Sequence, residues 1–232
     1  RRGIPLEEVE VFLAAQGHHF PDLERGNPIE DTLLQDLTPG AARAIGRGFL
    51  TQYATDAQAM PLDRFCEALD QHGVDPIALS RAFKADLPSV FRRLAGLPEG
   101  TLPHEVGLVQ CDASGSILSR KPVTGFALPR HGESCPLWPL FTALNRPLVP
   151  IMRRVSQLGR SAAEFDCLAV AWPQDMPGFD RDPVYRSVML ILPVAGREVR
   201  PAEVQPVGSS CRICPRSACG ARREPSILSE GF

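Results

Sequence analysis

Three cysteines lie close together near the end of the chain: Cys211, Cys214 and Cys219, in a C-x2-C-x4-C pattern. Thiolates at this spacing on a turn can converge on one metal centre. Three ligands leave one coordination position open, and Cys135, far upstream before Pro136, is the candidate that fills it. The sequence therefore predicts a metal site built from these four cysteines. A tail that begins near residue 207 would depend on that site for its order.

The spacing leaves the identity of the metal open. Zinc would bind four thiolates tetrahedrally and act as a structural staple. An iron–sulfur cluster also takes four thiolates and adds redox or oxygen sensitivity. The three-plus-one arrangement and the prolines after two of the cysteines, Pro136 and Pro215, favour the cluster. The third alternative is a loop of unligated thiols. Four arginines of the same loop could offset the charge of a thiolate site or anchor an anion: Arg212, Arg216, Arg222 and Arg223.

Composition restricts the classes of protein that fit this chain of 232 residues. A net charge of −2 and a pI near 6.2 give no overall signature of nucleic-acid or membrane binding. The sequence contains no continuous apolar run of about 18 residues, so we expect no membrane-spanning helix. Seven cysteines without a signal peptide argue against a disulfide framework. Because the chain starts at Arg1 without Met, we interpret it as a fragment of a longer cytoplasmic protein.

The sequence predicts no enzyme. His18 and His19 are adjacent and would point to different faces, and His104-Glu105 lacks the second histidine of a zinc peptidase motif. His131 lies near Cys135 but has no third group to orient it. Phosphate-binding glycine loops are also absent from the sequence. The remaining cysteines sit singly in helical or strand-like patterns and are predicted to be small buried residues: Cys66, Cys111 and Cys167.

Periodicity predicts an α+β protein with two domains, residues 1–98 and 99–232. The first is helical, with helices beginning at Pro5, Ala41, Leu62 and Pro76 and a last one capped by Asp86. The last two helices could form a helix-turn-helix, but a packed hairpin is favoured because the turn lacks glycine. The second domain is predicted as a mostly antiparallel sheet with a short helix over 137–144. Its strands are expected at 106–110, 116–120, 124–128, 165–172 and 185–192.

Several segments resemble the short-chain fatty-acyl transcriptional regulators of bacteria. The resemblance covers about residues 40 to 229 and is most specific at the two cysteine motifs, C-P-L-W and C-R-x-C-x-R-x-x-C-x-x-R. It is weakest over the first 40 residues. The segments that carry it are 60–65, 83–94, 112–117, 135–138 and 208–222.

The resemblance implies a layout and a function. A helix-turn-helix domain of the Xre type, outside this chain, would bind DNA. The helical half would be a degenerate IrrE-like zinc peptidase segment, in which 43–47 occupies the place of the metal-binding histidines. The second half would be a GAF-like domain that senses short-chain acyl-coenzyme A in propionate or related metabolism. A 4Fe–4S cluster, carried by at least one member, would map onto Cys135, Cys211, Cys214 and Cys219.

The predicted effector sets requirements for its pocket. Coenzyme A carries a 3′-phosphate and a diphosphate that need cationic partners, and the acyl chain needs an apolar slot. Candidate bases are Arg120, Lys121, Arg153 and Arg154, and candidate apolar strands are 168–172 and 188–192. We also expect a homo-oligomer. Two alternatives are a zinc-stapled interaction or dimerisation module without a small ligand and a redox enzyme, the latter disfavoured because flavin and nicotinamide motifs are missing.

Overall fold

A computed structural model describes residues 4–129, 133–157, 163–175, 178–194 and 204–228. It divides into two compact units, Arg1–Pro103 and His104–Phe232, which are described separately below. Over the described residues, no helix combines the length and the apolar character needed to cross a membrane.

The first unit is helical, as its sequence predicts. Proline at the first turn and aspartate caps define several helix starts: Asp75 accepts bonds from Ile77 N and Ala78 N, and Asp86 accepts one from Ser89 N. A left-handed residue, Lys84, ends the helix before Asp86 in place of glycine. The helices are α1 (Pro5–Ala15), α2 (Pro21–Glu24), α3 (Ala41–Ala59), α4 (Leu62–His72), α5 (Pro76–Phe83) and α6 (Leu87–Ala95), with a 3-10 turn at Asp31–Leu34.

Two adjacent arginines near the end of α6, Arg92 and Arg93, tie the helical unit together. Arg93 is 1% exposed and makes a double ion pair with Glu24 on α2, while its Nε donates to the carbonyl of Met60. Arg92 makes the equivalent double pair with Asp56 on α3. Burial alone would raise the pKa of Glu24, but bonds from Arg93 and Tyr53 outweigh it and the pKa is lowered. These charges are therefore satisfied inside the unit.

The second unit is built on a six-stranded sheet of order β2-β1-β5-β4-β3-β6. Its described elements are β1 (Gly107–Asp112), β2 (Ile117–Lys121), α7 (Pro139–Leu144), β3 (Ile151–Gln157), β4 (Glu164–Pro173), β5 (Tyr185–Pro193) and β6 (Gln205–Val207), followed by a 3-10 turn at Cys211–Ile213. All pairings are antiparallel except β3 with β6. The predicted α+β class is confirmed, whereas the GAF-like character stays a prediction.

One face of the sheet carries the core beneath α7. Val109, Met189 and Ala169 are paired across three strands and are all buried. Trp138, at the start of α7, is fully buried and packs against Phe126, whose ring lies edge-on to that of Phe165. The aromatic cluster thus connects the segment after Cys135 to the sheet.

Two parts of the sheet prediction were wrong. Residues 124–128 do not form a strand; a single bridge between Val123 and Phe126 closes a turn at Gly125, which has φ +87°. Strand β3 was not predicted, because Arg153 and Arg154 interrupt the apolar alternation that identifies a strand. The tail, predicted as a loop from residue 207, instead starts with Val207 as the last residue of β6, which pairs with β3 over three residues.

A candidate metal centre

The four predicted ligand cysteines line one cavity. Cys135, Cys211, Cys214 and Cys219 all face a space of about 310 Å³, part of it open to solvent. Cys135 and Cys211 are each 7% exposed and Cys214 is 9% exposed, whereas Cys219 is half-buried. The fold therefore brings a cysteine from before α7 next to three cysteines from the C-terminal tail.

Strand β6 and α7 set this juxtaposition. Pairing of β6 with β3 carries the tail along the sheet edge to Gly208, beside the segment that enters α7. There the Cys135 amide donates to the carbonyl of Ser209 at 2.9 Å, and the side chain of Gln205 donates to Leu137 O at 2.9 Å. The two cysteine motifs are thus joined by hydrogen bonds to backbone carbonyls.

Gly208 contacts two of the cysteine sulfurs. Its amide donates to Cys135 Sγ at 3.4 Å, and a Cβ atom at this position would lie 3.1 Å from Cys214 Sγ. A side chain here would push Cys214, a candidate ligand, aside by a few tenths of an ångström, and glycine avoids that shift. The Gly208 carbonyl accepts a 2.8 Å bond from the indole of Trp138.

Arginines hold the tail around the cavity. Arg222 donates to the carbonyls of Cys211 and Cys214, each at 3.2 Å, and to that of Arg216. Arg223 donates to Ser134 O and pairs with Glu133 at 3.0 Å, which ties the tail to the segment before Cys135. These guanidinium groups satisfy backbone carbonyls that no regular secondary structure would satisfy, and they place positive charge near the thiols.

Burial has a direct effect on Cys135. It raises the pKa of this thiol, the amides of Gly208 and Leu137 act in the opposite direction, and the nearby Cys211 and Cys214 raise it further. In the metal-free protein Cys135 is therefore a neutral thiol at pH 7. A bound cation would have to displace its proton, which couples metal binding to pH.

The residues present fit a sulfur-ligated group. Four soft sulfur donors, an arginine-rich surround and an amide aimed at one sulfur suit either an iron–sulfur cluster or zinc. Within the described part of the chain, no group of three or more His, Cys, Asp or Glu side chains is already placed to hold a metal ion. The four thiols share the cavity without ligand geometry, and the metal assignment stays a prediction.

The other cysteines lie elsewhere. Cys111 and Cys167 are fully buried in the sheet core, while Cys66 is only half-buried. Burial raises the pKa of Cys111 to about 12 and also raises those of Cys66 and Cys167, so these thiols stay protonated. His131, considered as a base for Cys135, lies outside the described residues.

The candidate coenzyme A bases differ in their surroundings. Arg154 is engaged by both oxygens of Asp166, and Arg120 donates to the carbonyl of Pro129. Burial lowers the pKa of Lys121 while Glu105 opposes the shift. Arg153 is exposed and donates to the carbonyl of Met152. Of the four, Arg153 offers the most accessible charge.

Comparison with known proteins identifies the family. The family described as "Short-chain fatty acyl coenzyme A regulator, C-terminal" matches residues 101–230, which include all four cysteines of the cavity. The chain belongs to this family.

Similarity to known regulators covers more of the chain than the family match does. The chain is 28% identical over 225 residues to the propionyl-CoA carboxylase regulator of Cereibacter sphaeroides, covering 90% of this chain and 47% of that protein. It is 30% identical over 200 residues to the HTH-type transcriptional regulator PrpR of Mycobacterium tuberculosis, covering 80% of this chain and 40% of that protein. The chain thus spans less than half the length of these relatives.

A solved structure supports the fold. A Mycobacterium tuberculosis transcriptional regulator superposes with a TM-score of 0.76 at 19% identity, over 99% of this chain and 97% of that one. At this identity the likeness shows the fold alone.

Proposed function

We propose that this chain is the effector-sensing region of a transcriptional regulator of short-chain acyl-coenzyme A metabolism, carrying a 4Fe–4S cluster. Cys135, Cys211, Cys214 and Cys219 would be the ligands. The observation that carries the proposal is that one cavity, inside the segment matched by the family, is lined by all four cysteines. The chain would be cytoplasmic, homo-oligomeric and without catalytic activity. DNA would be bound by a part of the full-length regulator outside this chain.

Three features favour an iron–sulfur cluster over zinc. The ligands are three clustered cysteines and one distant cysteine, and proline follows two of them. The Gly208 amide points at Cys135 Sγ, as amides do around cluster sulfurs, where such bonds adjust the redox properties. A bound cluster would supply electron acceptance and sensitivity to oxygen; the chain's own residues hold the sulfurs and restrict solvent.

Metal analysis after strictly anaerobic purification tests the cluster. We expect about four iron and four sulfide per chain, with visible absorption that bleaches in air. Colourless protein with one zinc per chain would contradict the cluster and support the alternative, a zinc-stapled interaction module.

Titration calorimetry tests the effector. Propionyl- and acetyl-coenzyme A should each release or absorb heat on binding, and Arg153→Ala should weaken binding more than Arg154→Ala, because Arg154 is already engaged by Asp166. Residues Val188 and Leu190, within a candidate apolar strand, are 0% exposed, so an acyl chain could reach them only by displacing packed side chains. No heat with either ligand, or tight operator binding by this chain alone, would contradict the sensor assignment.

A further inference from the structure

The segment from Cys135 to Trp138 is docked on Gly208 and Ser209 by three hydrogen bonds. The Cys135 amide donates to Ser209 O at 2.9 Å, the Trp138 indole Nε1 donates to Gly208 O at 2.8 Å, and the Gly208 amide donates to Cys135 Sγ at 3.4 Å. Two of these bonds are backbone to backbone or backbone to sulfur. The third depends on one side chain, that of Trp138.

The Trp138 indole is held in place by its surroundings. The residue is 0% exposed, its ring stacks on Phe141 with an interplanar angle of 10°, and Phe126 packs against it at 5.4 Å between ring centroids. A rigid ring gives its N–H a fixed direction, so the Gly208 carbonyl is fixed as well. Gln157, which is also buried, adds a longer contact to the same carbonyl at 3.5 Å.

Fixing Gly208 matters because this residue has no side chain to restrain it. Its carbonyl and its amide belong to neighbouring peptide planes, so anchoring the carbonyl restricts the rotation that would turn the amide away from Cys135. The direction of the amide therefore depends on the bond from Trp138.

We propose that Trp138 is a positioning residue for the cysteine centre: by anchoring Gly208 it keeps an amide hydrogen bond on Cys135 Sγ and so raises the reduction potential of the bound cluster. This inference rests on the proposed function. One-electron reduction adds a negative charge to the centre and breaks no bond, with the electron supplied by an external reductant such as dithionite. An amide directed at a ligand sulfur stabilises the more negative state, which raises the potential.

Spectroelectrochemical titration of the anaerobic 232-residue protein tests this role. Trp138→Phe keeps an aromatic ring in the cluster of rings but removes the indole N–H together with part of the buried ring. We expect it to shift the midpoint potential to a lower value. In the metal-free protein, labelled with ¹⁵N-glycine, the Gly208 amide should exchange with solvent faster than in the wild type. Gln157→Met should lower the potential less, because its contact with Gly208 O is longer.

Phe141→Leu is the matched control. It loosens the packing on the same indole but leaves the donor to Gly208 O in place, so the potential should fall less than in Trp138→Phe. A loaded Trp138→Phe protein with unchanged potential, or an equal shift in Phe141→Leu, would overturn the positioning role while leaving the cluster in place. If Trp138→Phe folds but takes up no iron, a wild-type exchange rate of its Gly208 amide has the same meaning. Wild-type protein without iron would overturn both proposals together.

Discussion

The two units use arginine side chains in different ways. In the helical unit, Arg92 and Arg93 find carboxylates on other helices, so each charge is paired within the protein. In the tail of the sheet unit, Arg222 donates to backbone carbonyls of its own loop. The cavity beside it is lined by the four cysteine thiols. The charged side chains of the helical unit therefore satisfy one another within the unit. The tail is only partly held, and a bound metal centre would supply the missing links.

Breaking a charge pair of the helical unit should have the largest effect on stability. Arg93→Ala removes a buried guanidinium and leaves Glu24 with only Tyr53 and His19 as partners, which costs about 3–5 kcal/mol. Urea unfolding should show this loss, while Arg81→Ala, at an exposed position on α5, should change little. Iron content per folded chain should be unaffected. An Arg93→Ala protein with wild-type stability would mean that the pair does not hold the helices together.

A substitution at Gly208, which lies against the sulfurs of Cys135 and Cys214, should reduce stability less than Arg93→Ala does. It should reduce metal content more. Gly208→Ala places a Cβ about 3.1 Å from Cys214 Sγ. Overpacking of this kind costs about 1–3 kcal/mol, and we expect iron content to fall because Cys214 must move. Gly220→Ala is the matched control, since a Cβ there meets nothing within 4 Å. Full iron content in Gly208→Ala would show that the close approach is unnecessary.

A helix cap in the first unit gives the smallest effect. Asp86→Ala removes the acceptor for Ser89 N at the start of α6, for a loss of about 1 kcal/mol. Asp86→Asn should restore most of it, because asparagine also caps helices well. The midpoint of urea unfolding measures both variants. Iron loss in Asp86→Ala would contradict the view that the two regions are stabilised independently.

Local signals account for what the sequence could predict. Proline starts, aspartate caps and apolar periodicity identify α1, α5 and α6 because these are interactions within one helix. Burial of Val90, Phe91 and Leu94 follows from the same periodicity. Strand β3 was not predicted because Arg153 and Arg154 interrupt the alternation of apolar and polar residues. Strand β6 was not predicted because three residues are too few to show a pattern.

The cavity was predictable only in part. Cysteine spacing identifies the three clustered thiols, and the lone Cys-Pro step indicates the fourth. Gly208, Trp138 and Gln157 were missed because their roles depend on contacts between segments separated by tens of residues. A glycine directly before the cysteine loop was the available signal, since close backbone approach is a common reason for glycine.

Iron content in Cys135→Ser tests the central claim, that a distant cysteine completes the centre of the tail. Cys111→Ala is the control, because Cys111 is a buried thiol outside the cavity. Both proteins are purified anaerobically and analysed for iron and sulfide per folded chain. The account predicts that Cys135→Ser loses the metal while Cys111→Ala keeps the wild-type content. Full metal content in Cys135→Ser would contradict it.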